Sequence, residues 1–181
     1  MSSPLRTFAG RLAVALSLAL LVARPMAAQD NLSALIPMPN HVELSQGKPF
    51  RIEAGRTTIH CPADSLTPVA EAIAHSIQRR TDVAVPLSAQ PRKGCIALAI
   101  DPTLQGTEHY RLEVSHRGIT LLGSTVEALY RATTTLDQLL LGDLLATAND
   151  EMSPIIIDDA PRFARRALML DPARHFLPVE A

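Results

Sequence analysis

At 181 residues the chain has room for one domain and a fragment of a second. A hydrophobic content of 47% excludes a disordered chain, and a net charge of -1 excludes a global field that would draw nucleic acid or an anionic membrane. With no tryptophan and 3% aromatic residues, the chain is short of the ring platforms that sugar sites use, which weighs against a complete sugar site within these residues.

The first stretch reads as a targeting signal. Arg6 and Arg11 make a positive start, and Leu12 to Ala23 is an apolar run of twelve residues broken only by Ser17. Ala27 and Ala28 give a small-residue exit, although Met26 sits where a smaller side chain is preferred. A spanning helix needs roughly 20 apolar residues, so the run is too short to cross a bilayer. Its layout is that of a secretory signal peptide over residues 1–28. The alternative is an uncleaved N-terminal anchor. The pattern predicts an exported protein, periplasmic or extracellular, with no membrane contact after signal cleavage.

Export permits disulfides. Cys61 and Cys95 are the two cysteines, each at a predicted strand end, in TTIHC and CIALAI. Two readings stay open: a Cys61–Cys95 disulfide, if those strands pair with these ends adjacent, or two buried thiols. The six histidines are scattered and no His or Cys spacing suits zinc, so neither a metal nor a cofactor is expected.

The mature chain then reads as alternating short strands and two helices. LIPMPNHVEL has prolines on both sides of Met38, which impose an extended lead-in. His41–Leu44, Pro49–Ile52 and Thr57–Cys61 are predicted strands. Thr67 is a predicted N-cap with Pro68 at the first helical position, and Val69, Ile73 and Ile77 share a helix face. Arg79 and Arg80 suit the negative end of that helix dipole.

Val83–Leu87 and Cys95–Ile100 are predicted strands. Tyr110, Leu112 and Val114 alternate with polar residues, turn at Arg117-Gly118, and alternate again at Ile119 and Leu121, which is a hairpin pattern. Gly123 breaks the strand. Ser124 and Glu127 have capping-box spacing, and Val126, Leu129, Tyr130, Thr133, Leu136 and Leu140 trace one face of a helix that Gly142 should end. Leu144–Ser153 reads as a loop, Pro154–Ile157 as a last strand, and Asp158–Pro161 as a boundary. The prediction is an α+β domain, a mostly antiparallel sheet with two helices on one face, over residues 29–158. About 125 residues can bury their own core.

Residues 159–181 differ in kind. Arg162, Arg165, Arg166 and Arg174 bracket the apolar run Ala167–Leu170. A short apolar run between charges suits a buried parallel strand, here the first strand of an incomplete (β/α)8 barrel. Without neighbouring strands it should leave apolar surface exposed.

Together these residues resemble a family. LIPMPNHVEL and HYRLEVSHRGITLLGSTVEALYRATTTLDQLL are similar to the front domain of family 20 glycoside hydrolases, the β-N-acetylhexosaminidases. PRFARRALMLDPARHF resembles that family's first barrel strand, with Ala167 in place of the usual glycine and Pro172 directly after Asp171. The resemblance implies that the protein removes terminal non-reducing N-acetylhexosamine from glycans or from chitin or wall oligosaccharides, by substrate-assisted retaining hydrolysis. It implies that Arg174 holds two sugar hydroxyls, for which a planar guanidinium fork suits better than a lysine. Asp171, three residues earlier, is placed by that spacing to orient the guanidinium. The partner implied is an N-acetylhexosamine-terminated oligosaccharide, with no nucleic acid.

In that family the acid glutamate and the aspartate before it lie on a later barrel strand. The chain is therefore expected to lack them and to have no hydrolase activity alone. Asp150-Glu151 and Asp158-Asp159 read as solvated turn acids. The competing readings are an exported non-catalytic carbohydrate-binding or interaction module, and the front domain of another glycosidase family.

Overall fold

The computed structural model describes residues 35–147 and 151–169, with the backbone alone for 142–147. In chain order the elements are β1 (His41–Leu44), β2 (Phe50–Arg51), β3 (Ile59–His60), α1 (Thr67–Thr81), β4 (Leu87–Ser88), β5 (Ile96–Ile100), β6 (Tyr110–Ser115), β7 (Gly118–Gly123), α2 (Val126–Thr147), β8 (Glu151–Met152) and β9 (Ile155–Asp159). Seven strands form one sheet in the order β1-β9-β6-β7-β5-β3-β4, and β2 pairs with β8 beside it. This is the expected α+β domain.

The sheet has two halves that meet at β7. β1, β9, β6 and β7 pair antiparallel, while β7, β5, β3 and β4 pair parallel. The antiparallel half contains the hairpin read from the alternation of Tyr110–Ser115 and Gly118–Gly123. The parallel half follows from α1, which carries the chain back so that β3 and β4 run the same way.

Strict alternation sets the core. In β6 the alternate residues Tyr110, Leu112 and Val114 are buried while Arg111 and Glu113 are exposed. Register places Leu112 opposite Leu121 on β7 and Ile157 on β9, and Leu121 opposite Leu98 on β5. A second row joins Ile155, Val114, Ile119, Ile96 and Ile59. Both rows belong to one hydrophobic cluster with Val69, Ile73 and Ile77 of α1 and Leu129, Leu136 and Leu140 of α2. Each such side chain contributes about 1.5–3 kcal/mol when fully buried.

Several local expectations are corrected. The N-cap of α2 is Thr125, whose Oγ1 accepts from the Ala128 amide at 3.2 Å, and Ser124 Oγ is buried without a partner. Glu127 therefore does not close a capping box; it pairs with Arg131. Thr67 is already helical and gives α1 no side-chain cap, because a 3-10 turn at Asp64–Leu66 leads straight into it. Helix α2 continues through Gly142 to Thr147, so Leu144–Ser153 is not all loop. A glycine in a helix costs about 1 kcal/mol, which does not stop this helix at Gly142. Tyr130 is 40% exposed; the buried face of α2 runs instead through Ala128, Leu129, Ala132 and Leu136. The strand expected at Val83–Leu87 begins only at Leu87, because Pro86 has no amide to give and serves β3 only as an acceptor for Ile59.

Cys61 and Cys95 are free thiols of intermediate exposure, which corrects both the disulfide and the fully buried alternative. Their strands do pair, but in parallel, with Ile59 opposite Ile96. Cys61 follows the last residue of β3 and Cys95 precedes the first of β5, so the two lie at opposite ends of the ladder. The sequence reading needed an antiparallel pair.

Two close approaches explain glycines. At Gly123 a Cβ would meet Leu129 Cγ at 2.8 Å and Thr125 O at 2.9 Å, so α2 can start immediately against the end of β7. At Gly118 a Cβ would lie 2.4 Å from the Cys95 carbonyl oxygen, with φ at +151°. That carbonyl accepts from the Ile119 amide and opens the β5–β7 ladder. Gly118→Ala is therefore expected to cost about 2 kcal/mol or more in urea unfolding. Gly55→Ala, with nothing within 4 Å of its Cβ but φ of +74°, should cost about 1 kcal/mol.

The two helices are joined by charge as well as by packing. Asp137 on α2 accepts from Arg80 Nη2 at 2.8 Å and Nε at 3.2 Å, from Arg79 at 3.4 Å, and from Ser76 Oγ. Its hydrogen bond with Arg80 holds its carboxyl below the usual aspartate range, partly opposed by burial. A carboxylate with a lowered folded-state pKa stabilises above the unfolded value and loses that contribution as pH falls through the folded one. Asp137→Asn should therefore destabilise the domain by about 1 kcal/mol at pH 7. The difference from wild type should begin to shrink as pH drops below about 4 and be lost only below the lowered folded-state value, read from thermal midpoints against pH.

Candidate functional site: the cleft where the chain leaves the sheet

A cleft of about 560 Å³ lies between the lead-in at Ile36–Asn40, one side of α2, and the segment after β9. Its back wall is Tyr110, Thr135 and Asp159, and its rim includes Arg131, Gln138, Phe163 and Arg166.

The polar groups of the back wall satisfy one another. The Tyr110 hydroxyl is 2.7 Å from Thr135 Oγ1 and donates to Asp159 Oδ2 at 3.3 Å. Burial pushes the phenol well above its ordinary pKa, so it stays neutral at every physiological pH. Asp159 Oδ1 accepts from the Asn40 amide at 3.0 Å, and Asn40 Nδ2 donates to the Ala160 carbonyl at 2.6 Å. Gln138 grips the backbone of Ile36 from both sides: it accepts from the amide at 3.2 Å and donates to the carbonyl at 2.9 Å. The lead-in and the lead-out are thus fastened to the same wall, around the cis Ile36–Pro37 peptide bond.

These contacts correct the reading of the adjacent acids. Asp158 and Asp159 are the last residues of β9, not turn acids, and Asp158 Oδ1 lies 2.8 Å from His109 Nε2. Glu151 lies in β8 and accepts from Arg51 Nε at 3.1 Å.

The rim carries a chain of alternating charge. Arg131 donates to Glu127 at 3.0 Å and to Glu108 at 2.7 Å, and Arg166 donates to the same Glu108 oxygen. The Arg166 guanidinium, then Arg131, hold the Glu108 carboxyl below the usual glutamate range. A general acid is served by the opposite shift. Among the described residues no group of three His, Cys, Asp or Glu converges to hold a metal ion.

The expected sugar-site residues, Arg174 and Asp171, lie outside the described residues, as does Leu170. Ala160–Met169 forms no strand, and Phe163, Leu168 and Met169 are exposed. The described part of the predicted barrel strand is thus bare apolar surface with no neighbouring strand to pair with. Arg162 lies over the Phe163 ring at 5.1 Å from its centroid. Sequence reasoning missed the cleft itself. Its one advance sign was a tyrosine heading a strand and a threonine near it on the helix face, which nothing in their spacing marked as partners.

Comparison with known proteins agrees with this geometry. The family description "Glycosyl hydrolase family 20, domain 2" matches residues 32–160. A β-hexosaminidase of Vibrio furnissii is 35% identical over 153 residues, covering 81% of this chain and 23% of the relative. A β-N-acetylhexosaminidase of Cellulomonas fimi is 31% identical, covering 81% of this chain and 30% of the relative. Among solved structures, the exo-β-N-acetylglucosaminidase of Vibrio harveyi in complex with N-acetylglucosamine superposes with a TM-score of 0.62 at 29% identity, covering 81% of this chain and 22% of that one. The N-acetyl-β-hexosaminidase of Streptomyces plicatus gives 0.63 at 27%, covering 82% and 30%. The chain thus spans less than a third of the length of each of these four relatives. It belongs to glycoside hydrolase family 20, and residues 32–160 are that family's domain 2.

Proposed function

We propose that these residues are the accessory domain of an exported β-N-acetylhexosaminidase, which removes terminal non-reducing N-acetylhexosamine by substrate-assisted retaining hydrolysis. The observation that carries this reading is the match of residues 32–160 to one domain of a family whose similar members are β-hexosaminidases. The residues after Pro161 start the catalytic barrel, Arg174 holds two hydroxyls of the terminal sugar, and Asp171 orients it. The acid glutamate and the aspartate that orients the acetamido group belong to a later barrel strand. In the substrate-assisted route the acetamido carbonyl attacks the anomeric carbon and the glutamic acid protonates the leaving oxygen.

The cleft supports this division of labour. Its acids are committed to structural partners, and the direction of the Glu108 shift is wrong for proton donation. What the cleft does is hold the two ends of the domain together where the chain passes on.

Two outcomes follow. The purified 181-residue chain should give no turnover of a chromogenic N-acetylglucosaminide, and turnover that survives repurification would overturn the placement of the acid pair. In a secreting host the exported product should begin at Gln29, as read by N-terminal sequencing; an intact Met1 on membrane-bound protein would show an anchor instead.

A further inference from the structure

Among the described residues after Ala160, one ion pair ties the chain to the α+β body. Among the described residues of Pro161–Met169, a single hydrogen-bonded ion pair reaches that body, from Arg166 Nη2 to Glu108 Oε2. The other polar contact of Arg166 stays within the segment: Nη1 donates to the Phe163 carbonyl at 2.7 Å and closes a local turn. Among the described residues no backbone hydrogen bond ties Pro161–Met169 to the sheet or to α2.

Glu108 suits an anchor. Its side chain is 15% exposed, against 41% for Arg166, so the fixed end is the sheltered one. It stands two residues before β6, on a stretch pinned from behind by the Thr107 carbonyl, which accepts from Thr125 Oγ1 at the start of α2. Arg131 Nε fixes the carboxylate from α2, and Glu127 balances Arg131 on its far side. An isolated surface ion pair is worth little, but a preset carboxylate with its own counter-ion loses less freedom when it accepts a second guanidinium.

We propose that Glu108 is a positioning residue: it sets the path by which the polypeptide leaves the α+β body. The consequence for Arg174, eight residues after Arg166, rests on the reading of that arginine under Proposed function; the anchor itself does not. The groups facing Glu108 are Arg131 and Glu127 from α2 and Arg166 from the exit segment. Arg166, then Arg131, hold the Glu108 carboxyl below the usual glutamate range.

The test is timed trypsin digestion of the full 181-residue chain, with fragments identified by mass. Trypsin must take a basic side chain into its own pocket, so an Arg166 engaged by Glu108 is withheld. In Glu108→Gln the cut after Arg166 should quicken by about fivefold, the ratio expected when an ion-pair tie is lost. The thermal midpoint of the body should stay within about two degrees of wild type. Arg166→Lys, which keeps the charge, should retain most of the protection at that bond. Arg166→Met, which lies outside the body and cannot unfold it, should instead quicken the cut after Arg165. Equal rates in wild type and Glu108→Gln, or an unaltered Arg165 cut in Arg166→Met, would overturn the anchor. A Glu108→Gln protein that loses protection everywhere, with a lowered midpoint, would show a general structural role and also overturn it. Hydrolase assays play no part, so failure of the enzyme reading would leave this result standing on its own.

Discussion

The constraint on which the rest depends is the placement of β7 between two partners of opposite sense. It pairs antiparallel with β6 through a tight turn and parallel with β5 through a long connection. One register then has to satisfy both ladders. It does so because each strand carries its apolar residues on the same parity. Leu121 meets Leu112 on one side and Leu98 on the other, and Ile119 meets Val114 and Ile96. A slip of one residue in either ladder would turn one strand's apolar set away from the helices. The close contact at Gly118 belongs to this junction, since the first β7 residue must pass within reach of the Cys95 carbonyl for the parallel ladder to begin.

From that junction the position of the cleft follows. β6 and β7 place Tyr110 at the top of the core next to Gly123, and Gly123 allows α2 to start at once. Helix α2 therefore lies across the end of β6, close enough for Thr135 to reach the Tyr110 hydroxyl. β9, paired on the other side of β6, ends opposite Tyr110 at Asp159. Tyr110 thus sits where strand, helix and exit meet, and one buried hydroxyl satisfies groups from all three. An unmet polar group there would be costly, which is why the tyrosine is useful and a phenylalanine would leave Asp159 and Thr135 without that shared partner.

The hairpin and both helices were legible because their signals are local: period two in Tyr110–Ser115 and Gly118–Gly123, and Val69, Ile73 and Ile77 four apart. The sense of the β3–β5 pairing was not legible, since TTIHC and CIALAI look the same whichever way they pair. That ambiguity is what made a Cys61–Cys95 bond conceivable. β8 escaped notice because two residues carry no period, and it exists through Phe50 and Arg51, a hundred positions away. The cleft was hidden for the same reason: Asn40 to Asp159 and Ile36 to Gln138 are pairings of distant residues, and neither member is unusual in its own neighbourhood. Helix starts were misread where the adjoining chain overruled a local sign, as the 3-10 turn at Asp64–Leu66 does at Thr67.

Several of the domain's long-range polar contacts gather where the chain leaves the sheet. The Tyr110–Asp159–Asn40 wall and the Gln138 grip on Ile36 line the cleft, and the charge chain through Glu108 borders it at Arg131 and Arg166, while the helix seam has Asp137 with Ser76 and its arginines. Stability alone does not ask for this. The core rows already hold the sheet to the helices, and surface charge adds little to such a body. Directional hydrogen bonds and paired guanidinium groups do something that apolar packing does not: they fix orientation. A domain that must present its following segment at a set angle needs orientation at its exit more than anywhere else. The concentration of directional contacts between Ile36 and Arg166 is the physical form that need takes in this chain.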